Sequence, residues 1–303
     1  MRPKILITDR IHEVAIEEAR GFADVDLNFG LSHEELIEKI GKYDALIVRS
    51  GTKVTKEVIE KSNLKIIGRA GVGLDNIDME AARKRGIMVV NSPEASTISV
   101  AELVIGSLIA LMRNIIQAHT SMKEGKWERS KFMGNELFGK TMGIIGFGRI
   151  GREVALRAIA FGMDVLVYDP GITGEDAREY NCRLLDLDEL LKNSDIVTLH
   201  VPLTDATRGM IDERRLNMMK NSAILVNIAR GGLVDEEALY RVLKENKIKG
   251  AVLDVFEEEP PRGSKLLGLD NVVLTPHLGA STDEAQINAG TVVVEKIKNF
   301  FRE

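Results

Sequence analysis

Gly146-Phe147-Gly148-Arg149-Ile150-Gly151 stands between a short apolar run, Thr141–Ile145, and a segment with helical spacing that is rich in Ala and Leu. In such a turn the first glycine permits a sharp bend, and the second lets the backbone approach a ligand closely. The third lets the following helix pack against the strand. Because free N–H groups and the helix dipole favour an anion at a helix N-terminus, this stretch predicts a bound pyrophosphate.

An acidic residue after the next predicted strand supports the same interpretation. Asp169 follows the run Asp164–Tyr168 and comes eighteen residues after Gly151. A carboxylate at this spacing accepts hydrogen bonds from the hydroxyls of an adenosine ribose. It also repels a 2′-phosphate, and Pro170-Gly171 offers no arginine to bind one. The sequence therefore predicts NAD rather than NADP as the cofactor, and a glycine turn without a ligand is the alternative.

Short apolar runs alternate with amphipathic stretches along nearly the whole chain, which predicts parallel sheets with helices on both faces. A long apolar helix, predicted from Ile98 to about Gln117, interrupts this alternation. From Thr141 onward a second series of six strands follows, as a dinucleotide-binding sheet requires. Two helices carry capping-box pairs, Ser32 with Glu35 and Ser281 with Glu284.

The predicted fold class is α/β, with two Rossmann-like or flavodoxin-like, doubly wound parallel-sheet domains. The nucleotide-binding domain is expected to be inserted into the substrate domain. Residues 1–95 would form the first part of the substrate domain and residues 96–277 the NAD-binding domain. Residues 278–303 would form a helix that returns to the substrate domain.

Composition excludes several other classes of protein. The formal net charge of −5 disfavours nucleic-acid binding, which usually requires a basic surface. No apolar run is long enough to span a membrane. Cys182 is the only cysteine, so neither a disulfide framework nor a multi-cysteine metal site is possible, and the histidines lack metal-ligand spacing. We expect a cytoplasmic protein without a metal and without membrane or nucleic-acid partners.

Three polar residues follow strands of the second series and suit hydride transfer to or from a small 2-hydroxy acid. Arg230 has a guanidinium that can grip a carboxylate through two parallel hydrogen bonds. His277 and Glu259 together can move a proton. A histidine after a proline is also common in surface loops, and an acidic run is also common in solvated turns, so both alternatives stay open here.

A second glycine-rich stretch, residues 68–73, follows a strand of the first series but lacks the third glycine of a pyrophosphate loop. Its backbone N–H groups are suited to a substrate anion.

Taken together, these motifs resemble the D-isomer-specific 2-hydroxyacid dehydrogenase family over nearly the whole chain. The resemblance is carried by residues 146–151 with Asp169, 201–204, 227–232 with 234–235, 253–260 and 276–279. It implies that Arg230, Glu259 and His277 are the catalytic residues, and that Asp254 lies on the nicotinamide side of the cofactor. The full set of implied cofactor contacts is Gly146, Gly148, Arg149, Ile150, Gly151, Asp169, Val201, Pro202, Ile228, Ala229, Arg230, Asp254, His277, Gly279 and Ala280.

Residues 48–53, 68–76, 126–134 and 277–282 resemble the members of this family that oxidise D-3-phosphoglycerate. Arg49 and Arg69 would supply positive charge for the phosphate, with a solvated surface charge as the alternative for each. The implied substrate contacts are Arg49, Ser50, Gly51, Arg69, Gly71, Val72, Gly73 and, reaching across a dimer to the partner's site, Arg129.

Other expectations follow from the same resemblance. Val72 and Val201 stand where relatives often have Thr, so two side-chain hydrogen bonds to the cofactor are expected to be missing. The chain ends after its last helix and is expected to lack a C-terminal regulatory domain. A homodimer is expected through Ile98–Met112, although core burial explains this apolar helix nearly as well, and pairing of two dimers stays open.

Two other functions remain in competition at this point. One is a glyoxylate or hydroxypyruvate reductase, or another D-2-hydroxyacid dehydrogenase, of the same fold. The other is a non-catalytic NAD sensor, since this fold also serves in transcriptional corepressors that resemble these enzymes. The exact hydroxy acid and the physiological direction stay open.

Overall fold

A computed structural model of the chain describes residues 2–302, and its contacts divide them into two compact units. Unit 1 joins the described residues up to Thr97 with those from Ala280 onward. Unit 2 runs without interruption from Ile98 to Gly279. In chain order, unit 2 is therefore inserted into unit 1, and both bounds lie two residues beyond the expected ones.

Unit 1 contains a five-stranded parallel sheet in the order β2-β1-β3-β4-β5, which is the order of flavodoxin-like folds. Its strands are β1 (Lys4–Ile7), β2 (Asp24–Leu27), β3 (Ala45–Val48), β4 (Ile66–Arg69) and β5 (Met88–Asn91). Its helices are α1 (Glu13–Arg20), α2 (His33–Ile40), α3 (Lys56–Lys61), α4 (Met79–Lys84) and α12 (Asp283–Phe300).

Unit 2 contains a seven-stranded parallel sheet in the order β12-β11-β10-β9-β6-β7-β8. Its strands are β6 (Thr141–Ile145), β7 (Asp164–Tyr168), β8 (Arg183–Leu184), β9 (Ile196–Leu199), β10 (Ile224–Asn227), β11 (Gly250–Leu253) and β12 (Val272–Leu274). Its helices are α5 (Thr97–Met112, the first residue still in unit 1), α6 (Ile115–Lys123), α7 (Arg149–Ala160), α8 (Gly174–Arg178), α9 (Leu187–Asn193), α10 (Glu213–Leu216) and α11 (Glu236–Lys244). Read from β8, this is the Rossmann strand order with a seventh strand added.

Each sheet has an apolar core on both of its faces. All four residues of β3, and all four of β9, are buried. A strand covered on both sides reads as a continuous apolar run, which is why the central strands could be located from sequence. The predicted fold class of two doubly wound parallel sheets is confirmed, and in each sheet the carboxyl ends of the strands share one edge.

The edges of the two sheets differ from the prediction. The sequence predicted six strands for the second sheet, whereas the structure has seven because β8 was not predicted. The four strands predicted for the first series likewise did not include β2. Both lie at an edge, and neither contains a buried residue. Strands of this kind lack the continuous apolar run that marks a central parallel strand.

The predicted single helix from Ile98 to about Gln117 is wrong, because α5 ends at Met112 and α6 begins at Ile115 after a bend of 62°. Asn114 adopts a left-handed backbone with φ 52°. The Met112 carbonyl accepts a hydrogen bond from Asn135 N at 2.9 Å, instead of continuing the helical ladder. Among residues 2–302 no single helix is long and apolar enough to cross a membrane, and α5 with α6 would pass that test only across the bend.

The two predicted capping boxes have different outcomes. Ser32 Oγ accepts from Glu35 N at 3.2 Å, and Glu35 Oε2 accepts from Ser32 N at 2.8 Å, so this box is confirmed. The prediction for the last helix is wrong, since its N-cap is Thr282, whose Oγ1 accepts from Ala285 N at 3.2 Å. The helix therefore begins one residue later than the pairing of Ser281 with Glu284 requires.

Candidate active site

The turn at residues 146–151 joins β6 to α7 and has the shape of an anion cradle. Gly146 has φ +96°, and a Cβ there would lie 2.5 Å from the His200 carbonyl oxygen. A Cβ on Gly151 would lie 2.1 Å from the Gly146 carbonyl oxygen. Gly148 is the N-cap of α7, without a capping side chain, and nothing lies within 4 Å of the Cβ that it lacks. Packing thus explains the outer two glycines, whereas Gly148 borders open space that has room for a ligand.

Asp169 ties this turn to the neighbouring strand β7. Its Oδ2 accepts a hydrogen bond from Phe147 N at 2.8 Å, and its Oδ1 accepts one from Gly171 N at 2.8 Å. The carboxylate is only partly buried, so it retains acceptor capacity for the hydroxyls of a ribose. The open space at Gly148, the helix N-terminus and this carboxylate together fit a dinucleotide.

The loop after β9 packs against the same turn. Val201 Cγ1 would lie 2.8 Å from a Cβ on Gly146, so the structure brings these two predicted cofactor residues together. Beside them, His200 Nε2 lies 3.0 Å from Thr198 Oγ1. Burial lowers the pKa of His200 to about 3, so its imidazole is neutral near pH 7. Pro202 is exposed, and its carbonyl accepts a hydrogen bond from Thr207 Oγ1 at 2.6 Å.

His277 and Glu259 form a pair in unit 2. His277 Nδ1 lies 2.7 Å from Glu259 Oε2, and the two side chains are 53% and 38% exposed. An ionised Glu259 accepts a hydrogen bond from Nδ1–H, which fixes the tautomer and leaves Nε2 to exchange a proton with a ligand. The structure thus brings together two of the three predicted catalytic residues in a geometry that can move a proton.

A buried carboxylate holds the loop that carries His277. Asp254 Oδ1 accepts from Thr275 Oγ1 at 2.5 Å and from Leu278 N at 2.6 Å, and its Oδ2 accepts from Gly279 N at 2.8 Å. His277 itself has a left-handed backbone with φ 57°, which is uncommon for a residue other than glycine. These three hydrogen bonds on both sides of His277 stabilise that conformation. A Cβ on Gly279 would lie 3.5 Å from Ile228 Cγ2, so two further predicted cofactor residues meet beside Asp254.

Arg230 lies in the loop after β10, which Asn227 shapes. Asn227 Oδ1 accepts from Ala229 N at 3.1 Å, and its Nδ2 donates to the Arg230 carbonyl at 2.9 Å. The Arg230 guanidinium donates to the Ala229 carbonyl at 2.7 Å. A Cβ on Gly231 would lie 1.9 Å from the Phe256 carbonyl carbon, so this loop packs directly against the turn that leads to Glu259.

Glu236 supports the same turn from the start of α11. Its Oε1 accepts a hydrogen bond from Glu257 N at 2.6 Å. Burial raises the pKa of Glu236 against the opposing effect of that hydrogen bond. Phe256 N also donates to Glu259 Oε1 at 3.2 Å. Sequence reasoning assigned no role to Asn227 or Glu236, although the motif that it identified begins at the first and ends at Asp235, beside the second.

In unit 1, the loop that follows β3 and the one that follows β4 carry the predicted anion-binding residues. Arg49 is partly buried, and Ser50 and Gly51 are exposed. Burial lowers the pKa of Arg49, and the charge of Asp9 partly opposes this effect. Gly71 has φ +146°, and a Cβ there would lie 1.8 Å from Arg69 Nη1, so the Arg69 guanidinium lies directly beside the glycine.

The remaining predicted residues lie at several places. Val72 accepts a hydrogen bond from Asn91 Nδ2 at 2.6 Å, which shapes the loop up to Gly73. Ala280, the first residue of the second segment of unit 1, accepts from Gln286 Nε2 at 2.5 Å. Arg129 is exposed in a short 3₁₀ turn of unit 2, and Arg149 and Ile150 form the first turn of α7.

Comparison with known proteins gives consistent matches. The sequence model described as "D-isomer specific 2-hydroxyacid dehydrogenase, NAD binding domain" matches residues 105–279. The D-3-phosphoglycerate dehydrogenase of Methanocaldococcus jannaschii is 57% identical over 301 residues, which cover 99% of this chain and 57% of that protein. The hydroxypyruvate reductase of Thermotoga maritima is 54% identical over 272 residues, which cover 88% of each chain.

Solved structures match over the same range. The D-lactate dehydrogenase from Aquifex aeolicus, complexed with NAD and lactic acid, has a TM-score of 0.88 and 33% sequence identity. The match covers 98% of this chain and 95% of that one. The chain spans about half the length of the D-3-phosphoglycerate dehydrogenases that it matches.

Proposed function

The chain belongs to the D-isomer-specific 2-hydroxyacid dehydrogenase family and carries its NAD-binding domain, and on that premise we propose that it oxidises D-3-phosphoglycerate to 3-phosphohydroxypyruvate, the class of reaction that feeds serine biosynthesis. The observation that carries the proposal is the pairing of His277 Nδ1 with Glu259 Oε2 at 2.7 Å, in loops at the carboxyl ends of adjacent strands. Bound NAD supplies the acceptor for the hydride from C2 of the substrate.

Each catalytic residue has a distinct task in this proposal. Arg230 binds the substrate carboxylate through its guanidinium, which suits a planar carboxylate better than an ammonium group would. The hydroxyl of the substrate gives its proton to His277 Nε2 as C2 is oxidised. Glu259 stabilises the imidazolium that forms and keeps the ring in place for the reverse step. In reduction the same imidazolium returns the proton to the carbonyl oxygen.

The phosphorylated substrate is supported by the two cationic loops of unit 1. Arg49 and Arg69 flank short stretches of backbone that contain Ser50, Gly51 and Gly71, and N–H groups together with guanidinium groups are favourable partners for phosphate. The identity of 57% to a D-3-phosphoglycerate dehydrogenase supports the same substrate.

The direct test is to incubate the purified protein with NAD and D-3-phosphoglycerate and to follow NADH formation. We expect turnover with NAD that exceeds turnover with NADP, because Asp169 disfavours a 2′-phosphate. Absence of NADH formation, together with rapid reduction of hydroxypyruvate or glyoxylate by NADH, would instead support the second candidate. That candidate is a hydroxypyruvate reductase, favoured by the 54% identity to the Thermotoga maritima protein.

The His277→Ala variant tests whether the chain is a catalyst or only a sensor of NAD. General acid–base catalysis contributes about 10²- to 10⁴-fold, so we expect kcat to fall by that factor. NADH binding, measured by fluorescence titration, should stay close to that of the parent chain. A variant that turns over at the rate of the parent would refute the role of His277.

We also propose that the chain forms a homodimer through unit 2. Val104 and Leu108 of α5 are buried inside the core of unit 2, so core burial accounts for much of that helix. Large exposed apolar side chains follow it instead, at Ile115, Ile116, Met122, Trp127, Met133 and Phe138.

Light scattering on the Met133→Glu variant should show a monomer, and a parent chain that is itself monomeric would contradict the proposal. Arg129 lies within this stretch, which supports the predicted reach of Arg129 into the partner's site.

A further inference from the structure

Asp9, which follows β1, holds the loop Arg49–Thr52 that follows the neighbouring strand β3. Asp9 Oδ2 accepts hydrogen bonds from Arg49 N at 2.6 Å and from Thr52 N at 3.1 Å. One carboxylate oxygen therefore binds the amides at both ends of the loop. Hydrogen bonds to an ionised acceptor are among the stronger ones in proteins, so this contact draws the two ends of the loop toward one point.

Asn76 completes this frame by binding the carbonyls of the same two residues. Its Nδ2 donates to the Arg49 carbonyl and to the Thr52 carbonyl, each at 2.7 Å. Two side chains from separate loops thus bind the N–H and the C=O groups at both ends of the loop. The two residues between these ends, Ser50 and Gly51, are exposed, and within residues 2–302 their amides make no hydrogen bond.

The space beneath the loop is filled by the same carboxylate. A Cβ on Gly51 would lie 2.6 Å from Asp9 Oδ1, so a side chain at this position would displace Asp9. A second anchor lies beside it, where Thr52 Oγ1 donates to Thr8 Oγ1 at 2.8 Å. Asp9 and Thr8 therefore fix the conformation of the loop, while Ser50 and Gly51 remain exposed and accessible to a ligand.

The charges around Arg49 show what the frame is suited to hold. Its guanidinium donates to the Arg10 carbonyl at 3.4 Å, and the nearby carboxylate of Asp9 partly offsets the cost of burying this cation. A cation beside two amide N–H groups that make no other hydrogen bond is suited to a doubly charged anion. Asp9 makes no direct contribution to such a site, because its own charge is negative.

We propose that Asp9 is a positioning residue that gives the chain its preference for a phosphorylated over an unphosphorylated 2-hydroxy acid, by holding Arg49 and the amides of Ser50 and Gly51 in place for the phosphate. The inference rests on the proposed function, since it assigns the phosphate group of that substrate to this loop.

The test compares KM and kcat for D-3-phosphoglycerate and for D-glycerate, both with NAD. Asp9→Ala releases the loop that positions Arg49, so we expect the KM for D-3-phosphoglycerate to rise about tenfold, as it would for the loss of one hydrogen bond to the charged phosphate. The KM for D-glycerate and both kcat values should stay near those of the parent. Asp9→Asn retains a carbonyl acceptor and should restore part of the affinity.

Two further variants make the result specific. Asn76→Ala removes the other half of the frame and should change the same KM in the same direction, which keeps the test valid if Asp9→Ala does not fold. Asp44→Ala is the matched control, because Asp44 accepts from Lys4 N at 2.9 Å at the opposite edge of the same sheet. Its substrate preference should equal that of the parent.

The outcomes separate the two hypotheses. A parent chain that oxidises both substrates with equal KM refutes the phosphorylated substrate itself. A parent that prefers D-3-phosphoglycerate, with an Asp9→Ala variant that keeps this preference, refutes the positioning role alone. Equal losses for both substrates in Asp9→Ala would also refute it, since they would show general damage to the unit.

Discussion

The stretches at residues 68–73 and 146–151 each lie at the carboxyl end of a parallel strand and contain three glycines within six residues, but only the second has the G-x-G-x-x-G spacing, and the structure uses their glycines differently. In the second turn, Gly146 and Gly151 meet backbone atoms, and a twelve-residue helix begins directly after Gly148. In the first, Gly68 lies inside β4, and no helix begins until Met79. The guanidinium of Arg69 occupies the space that a Cβ on Gly71 would need.

This difference shows that two stretches with similar glycine content can have different functions. Residues 146–151 bring the unpaired N–H groups of a helix toward an anion, with no cationic side chain required. At residues 68–73 the glycine instead makes room for a cationic side chain of the chain itself. One turn is suited to the pyrophosphate of a dinucleotide and the other to the anionic part of a substrate, and four substitutions can separate these roles.

The largest effect is expected for Gly151→Ala. Its Cβ would lie 2.1 Å from the Gly146 carbonyl oxygen, and backbone atoms cannot move aside cheaply. Overpacking of this kind costs about 3 kcal/mol of folding free energy. Because the turn must move to relieve the clash, we expect the pyrophosphate site to lose a comparable free energy of binding, which corresponds to about 100-fold weaker binding of NADH. Fluorescence titration measures this loss, and an unchanged Kd would contradict the close packing of α7 against β6.

Gly148→Ala should separate ligand binding from stability. The residue has φ −75°, and a Cβ would meet no atom within 4 Å, so the melting temperature should stay that of the parent. The same Cβ would enter the space assigned to the pyrophosphate, and we expect NADH to bind about tenfold more weakly. If binding is unchanged, the pyrophosphate does not lie against Gly148.

Gly71→Ala should weaken binding of the substrate and leave binding of NADH unchanged. A Cβ at this position would displace the Arg69 guanidinium. The alanine would also have to adopt φ +146°. The loss of one charge-assisted contact predicts about a tenfold higher KM for D-3-phosphoglycerate. The Kd for NADH, titrated on the same preparation, serves as the control and should not change. Weaker binding of NADH in this variant would contradict the division of roles between the two turns.

Gly68→Ala should have the smallest effect on function. A Cβ there would lie 2.4 Å from Val293 Cγ1 and 2.8 Å from Ile297 Cδ1, both on α12. Overpacking should lower the free energy of unfolding by about 1–3 kcal/mol, as chemical denaturation would show. KM and the Kd for NADH should equal those of the parent, because this glycine packs a helix and binds no ligand. A raised KM would place Gly68 with Gly71 in the anion site.

Much of the fold was predictable because central parallel strands are apolar along their whole length. Thr141–Ile145 and Asp164–Tyr168 begin and end as predicted. The bend after Met112 was not predictable from local sequence. It depends on a hydrogen bond from Asn135 N to the Met112 carbonyl, and Asn135 lies 23 residues further along the chain. Edge strands such as Arg183–Leu184 carry too short and too polar a pattern to be recognised.

Part of the candidate site was also present in the sequence. The pattern of a strand followed by a polar residue singled out Asp169 and Arg230, and Asp9 shows the same pattern but was overlooked. The sequence could not reveal what each carboxylate binds. Asp254 was expected beside a nicotinamide, and that role stays a prediction, whereas its hydrogen bonds to Leu278 N and Gly279 N became visible only in the structure.

By itself, then, the sequence determined the two parallel sheets, the glycine turn that opens α7 and the types of residue that the chemistry requires, since these depend on local pattern and residue chemistry. The tertiary structure decided which of these residues meet. Asp9, Asp169 and Asp254 each accept an N–H from the loop after an adjacent strand, and adjacency in a sheet depends on strand order rather than on distance along the chain. Parallel strands need long crossovers, so such partners lie tens of residues apart in sequence and meet only when the sheet has formed.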